Sequence, residues 1–525
     1  MENISEGRSW INICIPEITP PSLKNNIADT DRLIKGIKKS IDSENVSVGL
    51  SLIKKLPHLL RQYNYAVKAG GYEDEGIWNL IDVFPSDQDD RFYGLAVDLG
   101  STTVVGRLID LNKKSIVDEM HFNNPQIAIG SDILTRIHYA NSKEGGLEEL
   151  QNLVMSAINR ELLKITEKHA ISSRYIVGMT IAGNTAMTHF FLGLTPYWIC
   201  REPYIPVVNK PPVIRAGEIG LEINRNAPVF VFPNIGSYFG GDLIAGILAS
   251  QITHEKEPCF LVDVGTNAEV VIGNSEWLMA CAGAAGPALE GGVASMGMMA
   301  GPGVIDKVKI DPDTLKIDVS TISGDPPIGI CGSGLIDLVA QLFLAGMIDI
   351  RGKFVPERCG DRLVEQDGIM CLTIVPAEES GTGRPLTLSQ PDIDALIRSK
   401  GAMYTILTTI SNTVGISMNE IKKFFVAGTF GSYINPRSAI ILGMLPDIPI
   451  EKFVSLGNTS LKGAQMVLLS ADAKQETEKI RDQIAYLELN VNQEFMNLFS
   501  AAKFIPHTDR ALFPSVPIVS TANNT

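Results

Sequence analysis

The sequence lacks the features that identify several common protein classes. Its seven cysteines are scattered and form no C-x-x-C pair, which argues against a zinc knuckle, a ferredoxin cluster or a redox dithiol. No apolar run reaches the roughly 18–20 residues of a membrane span, and the polar N-terminus has no apolar core of the signal-peptide kind. The net charge of −14 argues against nucleic acid as the main partner. These absences predict a cytoplasmic protein with free thiols.

The remaining composition is that of a large globular protein. Of the 525 residues, 45% are hydrophobic and 20% are charged, and the length suits about two to four domains. Residues 1–92 are predicted to form a separate small α+β unit, with a short strand near Trp10 and a helix whose Leu33 and Ile37 share one face. An acid-rich stretch over residues 85–91 links this unit to the rest of the chain.

An apolar strand, a polar turn and a second apolar strand follow in Tyr93–Asp110. The first strand ends at Asp98, and the turn covers Gly100–Thr103. Backbone N–H groups and hydroxyls in such a turn can bind an anion. A carboxylate at the strand end suits a hydrated Mg²⁺, which prefers oxygen ligands. An ordinary hairpin is the alternative for a single copy of this pattern.

A second copy of the pattern lies in Phe260–Ile272. Its first strand ends at Asp263, and its turn contains Gly265, Thr266 and Asn267. Two such hairpins, a lobe's length apart, favour phosphate binding over two unrelated turns. They also predict two similar lobes, each of which provides one phosphate-binding turn.

The paired hairpins resemble the ATPase fold shared by actin, sugar kinases, acetate kinase and the Hsp70 chaperones. In that fold the first hairpin carries the phosphate-1 motif and the second carries the phosphate-2 motif. The resemblance implies a two-lobed, actin-like α/β fold with lobes over residues 93–255 and 256–510. Residues 1–92 precede the lobes as the small α+β domain, and residues 511–525 are expected to form a flexible tail.

Further segments run through a glycine-containing turn into a helix. They are Gly183–Thr185, Gly240–Asp242, Gly332–Gly334 and Gly428–Gly431. Strand–turn–helix units of α/β folds present ligand groups at the carboxyl ends of strands. A glycine-rich stretch over residues 280–303 fits either close approach of the backbone to a ligand or a buried crossing loop. One long helix is predicted over Gln390–Val414.

A series of motifs resembles the ATP-dependent reductive activators of corrinoid-dependent methyltransferases. The motifs extend over nearly the whole chain, and together they are more specific than any single turn. They are P-P-S-L-x-x-N from Pro20, N-P-Q…G-x-D-x-x-x-R-I from Asn124 to Ile137, G-N-T from Gly183, G-G-D from Gly240, D-x-G-T-N from Asp263, A-G-P-A-x-E-G from Ala285, C-G-S-G-L-I-D from Cys331, S-K-G-A from Ser399 and A-G-x-F-G from Ala427.

The resemblance implies an activity and its partners. Such activators return the cobalt of a corrinoid protein from inactive Co(II) to Co(I), and they couple this uphill reduction to binding and hydrolysis of ATP. The implied cofactors are ATP and Mg²⁺. The implied partner is a corrinoid protein that carries the cobalamin, because this chain has no D-x-H-x-x-G signature of its own. A homodimer is common among such activators.

The resemblance also implies roles for individual residues. Asp98 and Asp263 are the expected catalytic and Mg²⁺-orienting carboxylates, and Glu290 is a third acid that contacts either the nucleotide or water. Helix capping is the alternative for Asn184 and Asp242, and a plain helix N-terminus is the alternative for the turn after Ala427. The expected nucleotide-binding residues are Gly100, Ser101, Thr102, Thr103, Asn184, Asp242, Gly265, Thr266, Asn267, Gly332, Ser333, Gly428, Thr429 and Gly431.

The chain departs from the family pattern at its N-terminus. Many members begin with a plant-type 2Fe–2S domain, spelled C-x₄-C-x₂-C, whereas this sequence begins where the following linker is expected. A separate low-potential electron donor is therefore expected. A cluster shared between two subunits through single cysteines, such as Cys281 or Cys331, is less favoured than buried thiols.

Two other functions fit the phosphate turns. A small-molecule kinase of the same fold needs a substrate-binding base near the nucleotide, and outside the turns the resemblance to sugar kinases is weak. A binding or remodelling module that uses ATP only as a conformational latch needs no hydrolysis. An Asp263→Asn variant distinguishes these functions, because a latch would keep its activity whereas an ATPase would lose it.

Overall fold

The chain divides into two units by its internal contacts. They are Met1–Ala249 with Ser460–Asp482, and Ser250–Thr459 with Gln483–Thr525. The computed structural model describes residues 9–41, 43–87, 91–265, 268–283, 294–428, 434–489 and 492–518. Sequence order alone assigned residues 460–482 to the second lobe, whereas their contacts are made within the first unit. No helix in the described ranges combines the length and the apolarity that a membrane crossing requires.

The first unit begins with the small α+β domain that the sequence predicted. In sheet order its four strands are Ile11–Cys14, Val67–Asp74, Ile77–Pro85 and Val46–Val48. Its helices are Asp29–Ile41, Leu50–Ile53 and Leu56–Gln62. Leu33 and Ile37, which the apolar pattern placed on one helix face, are fully buried in the same cluster as Trp78.

A six-stranded sheet forms the centre of the first unit. In sheet order its strands are Ser115–Asn123, Thr103–Asp110, Tyr93–Leu99, Ile176–Gly183, Pro228–Val231 and Ile214–Arg215. The helices of this part are Ile133–Ser142, Gly146–His169, Thr185–Leu192, Gly241–Ser250, Thr459–Leu469 and Ala471–Gln483. The predicted hairpin thus lies at the middle of a buried sheet, where neighbouring strands fix its turn.

The second unit has a six-stranded sheet of its own. In sheet order its strands are Phe453–Gly457, Lys423–Ala427, Cys259–Val264, Ala268–Gly273, Leu278–Gly283 and Ile484–Tyr486. Two three-stranded sheets accompany it, formed by Ile317–Thr321, Val304–Ile310 and Gly329–Ile330, and by Leu363–Gln366, Ile369–Val375 and Leu386–Ser389. Its described helices are Gly332–Leu344, Pro356–Cys359, Gln390–Val414, Pro436–Leu442 and Gln493–Ala502.

Five strands of each six-stranded sheet share one topology, whereas the sixth strands, Ile214–Arg215 and Ile484–Tyr486, pair at opposite edges. In each, the hairpin's first strand pairs antiparallel with its second, and the second pairs antiparallel with a third. The hairpin's first strand also runs parallel to a strand much later in the chain, which in turn pairs parallel with one more. The prediction of two similar lobes, made from two similar hairpins, is confirmed at the level of strand order and direction.

The C-terminal segment differs from the expected flexible tail. Phe513 and Val516 are almost fully buried in the apolar cluster of the second unit. Ser515 donates from its backbone N–H and its hydroxyl to the carboxylate of Asp447, at 2.8 and 2.7 Å. Residues 511–518 are therefore part of the packed unit, because two apolar side chains and a polar anchor hold them. Residues 519–525 lie outside the described ranges.

Candidate functional site

The first predicted phosphate turn lies where two parallel strands end. Asp98 is in register with Val105 of the returning strand and with Ala182 of the parallel neighbour. The carboxylate of Asp98 is half-buried, and Thr102 at the tip of the turn is exposed. A carboxylate and an accessible turn therefore meet at the carboxyl edge of the sheet, where α/β folds place ligand groups.

A buried asparagine supports this turn from behind. Asn124 is 1% exposed, its Nδ2 donates to the carbonyl of Gly100 at 2.9 Å, and its backbone N–H donates to the carbonyl of Thr102 at 2.8 Å. Two carbonyls of the turn thus point inward. Asn124 belongs to the N-P-Q motif, to which the sequence assigned a loop but no role at the site.

Asp98 has a partner that the sequence did not indicate. The hydroxyl of Ser460 donates to Oδ1 of Asp98 at 2.8 Å, although 362 positions separate the two residues. The helix Thr459–Leu469 that carries Ser460 lies against the same sheet, because Thr180 of a central strand donates to the carbonyl of Ala464 at 2.7 Å. No local pattern around Ser460 signals this contact, since it depends on the chain returning to the first unit.

Two further predicted turns lie beside the end of the same sheet. Asn184 caps the helix Thr185–Leu192, because its side chain accepts from the N–H of Met187 at 2.9 Å. This is the capping role that the sequence offered as the alternative to nucleotide binding. A Cβ at Gly240 would lie 2.3 Å from the Cα of Asn184 and 2.5 Å from Oδ1 of Asp242. Only glycine allows this approach, which brings the G-N-T and G-G-D turns together. Asn184 and Asp242 are both half-buried.

The second predicted phosphate turn has the same setting in the second unit. Asp263 is in register with Glu269 of the returning strand and with Ala427 of the parallel neighbour. Gly428 follows that neighbour with φ of +79°, and a Cβ there would lie 2.8 Å from Oδ1 of Asp263. The half-buried carboxylate of Asp263 and the turn after Ala427 are therefore in direct contact, and Gly265 begins the hairpin turn beside them.

Gly332 and Ser333 have a more buried environment. They begin the helix Gly332–Leu344, and Ser333 is 5% exposed. The hydroxyl of Ser333 lies 3.2 Å from the sulfur of Cys331, which donates to the carbonyl of Ile305 at 3.3 Å. The contact of Gly332 and Ser333 with a nucleotide stays a prediction.

Some predicted residues lie outside the described ranges. They are Thr266, Asn267, Glu290, Thr429 and Gly431. Their roles remain those that the sequence predicts.

The described cysteines and acids do not gather around a metal. In the described ranges, no group of three or more His, Cys, Asp or Glu side chains could hold an ion. Cys281 is fully buried and Cys331 is 5% exposed. Burial raises the pKa of the Cys281 thiol well above its usual range, which disfavours the thiolate that a cluster requires. These positions fit buried thiols and give no support to a cluster shared at a subunit surface.

Three regions of one protein family match the chain in order. The RACo linker region matches residues 10–90, the RACo middle region matches residues 93–255, and the C-terminal domain of RACo, described as the ASKHA domain, matches residues 257–517. The ASKHA domain is the actin-like fold of sugar kinases and Hsp70, so the predicted fold class is confirmed.

Relatives with named activities match most of the chain. The corrinoid activation enzyme RamQ of Eubacterium limosum is 30% identical over 486 residues, which are 90% of this chain and 79% of that protein. The Co(II) methylated amine-specific corrinoid protein reductase of Methanosarcina barkeri is 24% identical over 440 residues, which are 78% of this chain and 76% of that protein.

A solved structure that matches nearly the whole of this chain gives the same assignment. It is a reductive activator for corrinoid,iron-sulfur protein, 37% identical, with a TM-score of 0.90, and the match covers 98% of this chain and 82% of that one. The three matched regions, the relative RamQ and this structure all indicate the same protein family. The chain belongs to the RACo family.

Proposed function

We propose that this chain uses ATP to activate a corrinoid protein, coupling binding and hydrolysis of the nucleotide to reduction of inactive Co(II) to Co(I). One electron comes from a separate low-potential donor and goes to the cobalt on the partner, while ATP and water give ADP and phosphate. The observation that carries the proposal is the ordered match to all three RACo regions in a chain whose two six-stranded sheets each present a strand-end carboxylate beside a glycine turn.

Asp98 in the first unit and Asp263 in the second are each suited to orient the water bound to Mg²⁺. Both are half-buried carboxylates at strand ends, and Mg²⁺ in nucleotide sites keeps several waters and few carboxylate ligands. The ion, when bound, neutralises charge on the phosphates. Each carboxylate is positioned within its own unit, Asp98 by the hydroxyl of Ser460 and Asp263 by its contact with Gly428. A homodimer is the proposed assembly.

ATP can assist the reduction without contact with the cobalt. A ligand that prefers one conformation shifts the protein toward it by the difference in its two affinities. Binding and hydrolysis of ATP therefore change which conformation meets the corrinoid protein. Electron transfer is favoured in one of these conformations only.

The test combines the protein with Mg-ATP, a low-potential donor and a Co(II) corrinoid protein under anaerobic conditions. We expect the absorption of Co(I) to appear with ATP and to be absent without ATP or without the chain. We also expect the corrinoid protein, but no sugar or carboxylic acid, to stimulate ATP hydrolysis. Stimulation by a small molecule with release of its phosphate ester would instead establish a kinase, and no ATP-dependent change with any such corrinoid protein would refute the proposal.

A Ser460→Ala variant tests the orientation of Asp98. Without the hydrogen bond from Ser460, the Asp98 carboxylate is held less firmly and should bind hydrated Mg²⁺ more weakly. We expect the Mg²⁺ concentration for half-maximal ATPase activity to rise by about fivefold to tenfold. The matched control is Ser470→Ala, because Ser470 lies in the same returning segment and its hydroxyl accepts from the N–H of Ala473 at 3.3 Å. Equal Mg²⁺ dependence in both variants would show that Ser460 does not orient Asp98.

A further inference from the structure

A buried polar layer lies behind the first phosphate turn. Its members are Asn124, Gln126, Arg136 and Met187, and each is no more than 1% exposed. The first three belong to the N-P-Q…R-I motif, for which the proposed function gives no role. Asn124 connects this layer to the turn through its contacts with the carbonyls of Gly100 and Thr102.

The layer is held together by a chain of short contacts. Asn124 accepts from the N–H of Gln126 at 3.0 Å, and Gln126 donates through Nε2 to the carbonyl of Leu150 at 2.9 Å. The sulfur of Met187 lies 3.8 Å from Nδ2 of Asn124 and 3.7 Å from a terminal nitrogen of Arg136. Two side chains, Asn124 and Met187, therefore lie between the guanidinium of Arg136 and the phosphate turn.

Arg136 is a fully buried cation with neutral partners. Its Nε donates to the carbonyl of Gly130 at 2.8 Å, and one terminal nitrogen lies 3.4 Å from Oε1 of Gln126. Its other terminal nitrogen has no hydrogen-bond partner among the described residues. No carboxylate in the described part of the chain forms an ion pair with it.

The carboxylate of Asp132 acts on Arg136 but does not neutralise its charge. Burial lowers the pKa of Arg136, and the carboxylate of Asp132 opposes the shift only in part. Asp132 is exposed and accepts from the hydroxyl of Thr135 at 2.6 Å. A buried charge without a counter-ion is costly, so an anion bound near Arg136 gains a favourable interaction that an ordinary hairpin turn does not offer.

We propose that Arg136 is a positioning residue for nucleotide phosphates, supplying from beneath the turn the positive field that holds them at Gly100–Thr103. The inference rests on the proposed function, because it takes ATP as the anion. Arginine keeps its charge when buried more reliably than lysine does, and the neutral layer leaves that charge unscreened. As a general estimate, a unit positive charge on the order of 10 Å from a phosphate, at an effective dielectric constant of about 20, strengthens binding of each negative charge by about tenfold.

The test measures affinity for Mg-ATP and for AMP in the full chain. An Arg136→Met variant is expected to bind Mg-ATP about tenfold more weakly, while its affinity for AMP, which lacks the β- and γ-phosphates, changes by less than twofold. An Arg136→Lys variant should restore only part of the loss, because lysine loses its charge more readily than arginine when it is buried. A purely structural role of Arg136 would weaken binding of both nucleotides alike.

A second variant removes the charge without removing the arginine. Gln126→Glu puts a carboxylate of almost the same shape beside Arg136 and leaves the turn's own contacts with Asn124 in place, although it loses the donation from Gln126 to the carbonyl of Leu150. It should therefore lower stability and also weaken binding of Mg-ATP more than binding of AMP. The matched control is Arg32→Met, because Arg32 is a 5% exposed arginine of the small domain whose nitrogens donate to carbonyls. We expect Arg32→Met to lower the melting temperature and to leave both affinities unchanged.

Each outcome has one meaning. Selective loss of Mg-ATP affinity in both Arg136→Met and Gln126→Glu supports the inference. Wild-type affinity for Mg-ATP in Arg136→Met or Gln126→Glu, or equal losses for ATP and AMP, overturns it while leaving the proposed function intact. Failure of the wild-type chain to bind Mg-ATP overturns both.

Discussion

An Asp263→Asn variant is expected to hydrolyse ATP about 10³-fold more slowly than the wild type and to keep its fold. The carboxylate lies at the carboxyl end of a buried strand and touches Gly428, so it has a defined position at the candidate site. Asparagine has the same shape but carries no charge, and loss of one well-placed charged group at a phosphoryl-transfer site costs a factor of this size.

The measurement is the rate of phosphate release with and without the Co(II) corrinoid protein. Asp318→Asn is the matched control, because Asp318 is an exposed acid of the same unit that pairs with Lys316 at 2.8 Å. We expect this control to retain full activity. A latch that needs no hydrolysis predicts the opposite pattern, in which Asp263→Asn still binds ATP and still promotes formation of Co(I).

The parts of the site that the sequence predicted have local signals. Each phosphate hairpin combines an apolar strand, an acid and a glycine turn within fewer than twenty residues, so strand, turn and return are visible without knowledge of distant contacts. The long helix was predicted with the bounds that the structure shows, Gln390–Val414. Ser389 and Asp392 cap its start reciprocally, and Gly415 ends it in the left-handed conformation.

The parts that the sequence missed depend on distant contacts. Ser460 reaches Asp98 because the helix that follows the strand Phe453–Gly457 packs in the first unit, and nothing near Ser460 indicates that return. The segment 511–518 was expected to belong to a flexible tail because terminal segments are commonly poorly ordered, and Pro514 and Pro517 interrupt its apolar residues. Phe513 and Val516 nevertheless fill space in the core of the second unit. Burial by a distant element leaves no periodic pattern in a short segment.

The arrangement of the site also explains why its glycines differ in importance. Gly415 and Gly428 both have positive φ, of +71° and +79°, so alanine is strained at either position. No atom lies within 4 Å of a Cβ built at Gly415, whereas a Cβ at Gly428 meets the carboxylate of Asp263 at 2.8 Å. Alanine variants at Gly415 and Gly428 share the backbone strain, but only Gly428→Ala displaces Asp263. Comparing the two variants therefore separates the effect of strain from the effect of that displacement.

A Gly428→Ala variant is expected to lose on the order of 10²-fold in ATPase activity, since a shift of catalytic groups by about 1 Å has that effect. Strain at positive φ should cost about 1–2 kcal/mol of stability in both Gly428→Ala and Gly415→Ala. Thermal unfolding then gives this loss for Gly415→Ala and at least as large a loss for Gly428→Ala, while the rate of ATP hydrolysis falls for Gly428→Ala alone. The added methyl group must move the Asp263 carboxylate or the turn itself. Equal activity in the two variants would therefore show that ATP hydrolysis does not depend on the contact between Gly428 and Asp263.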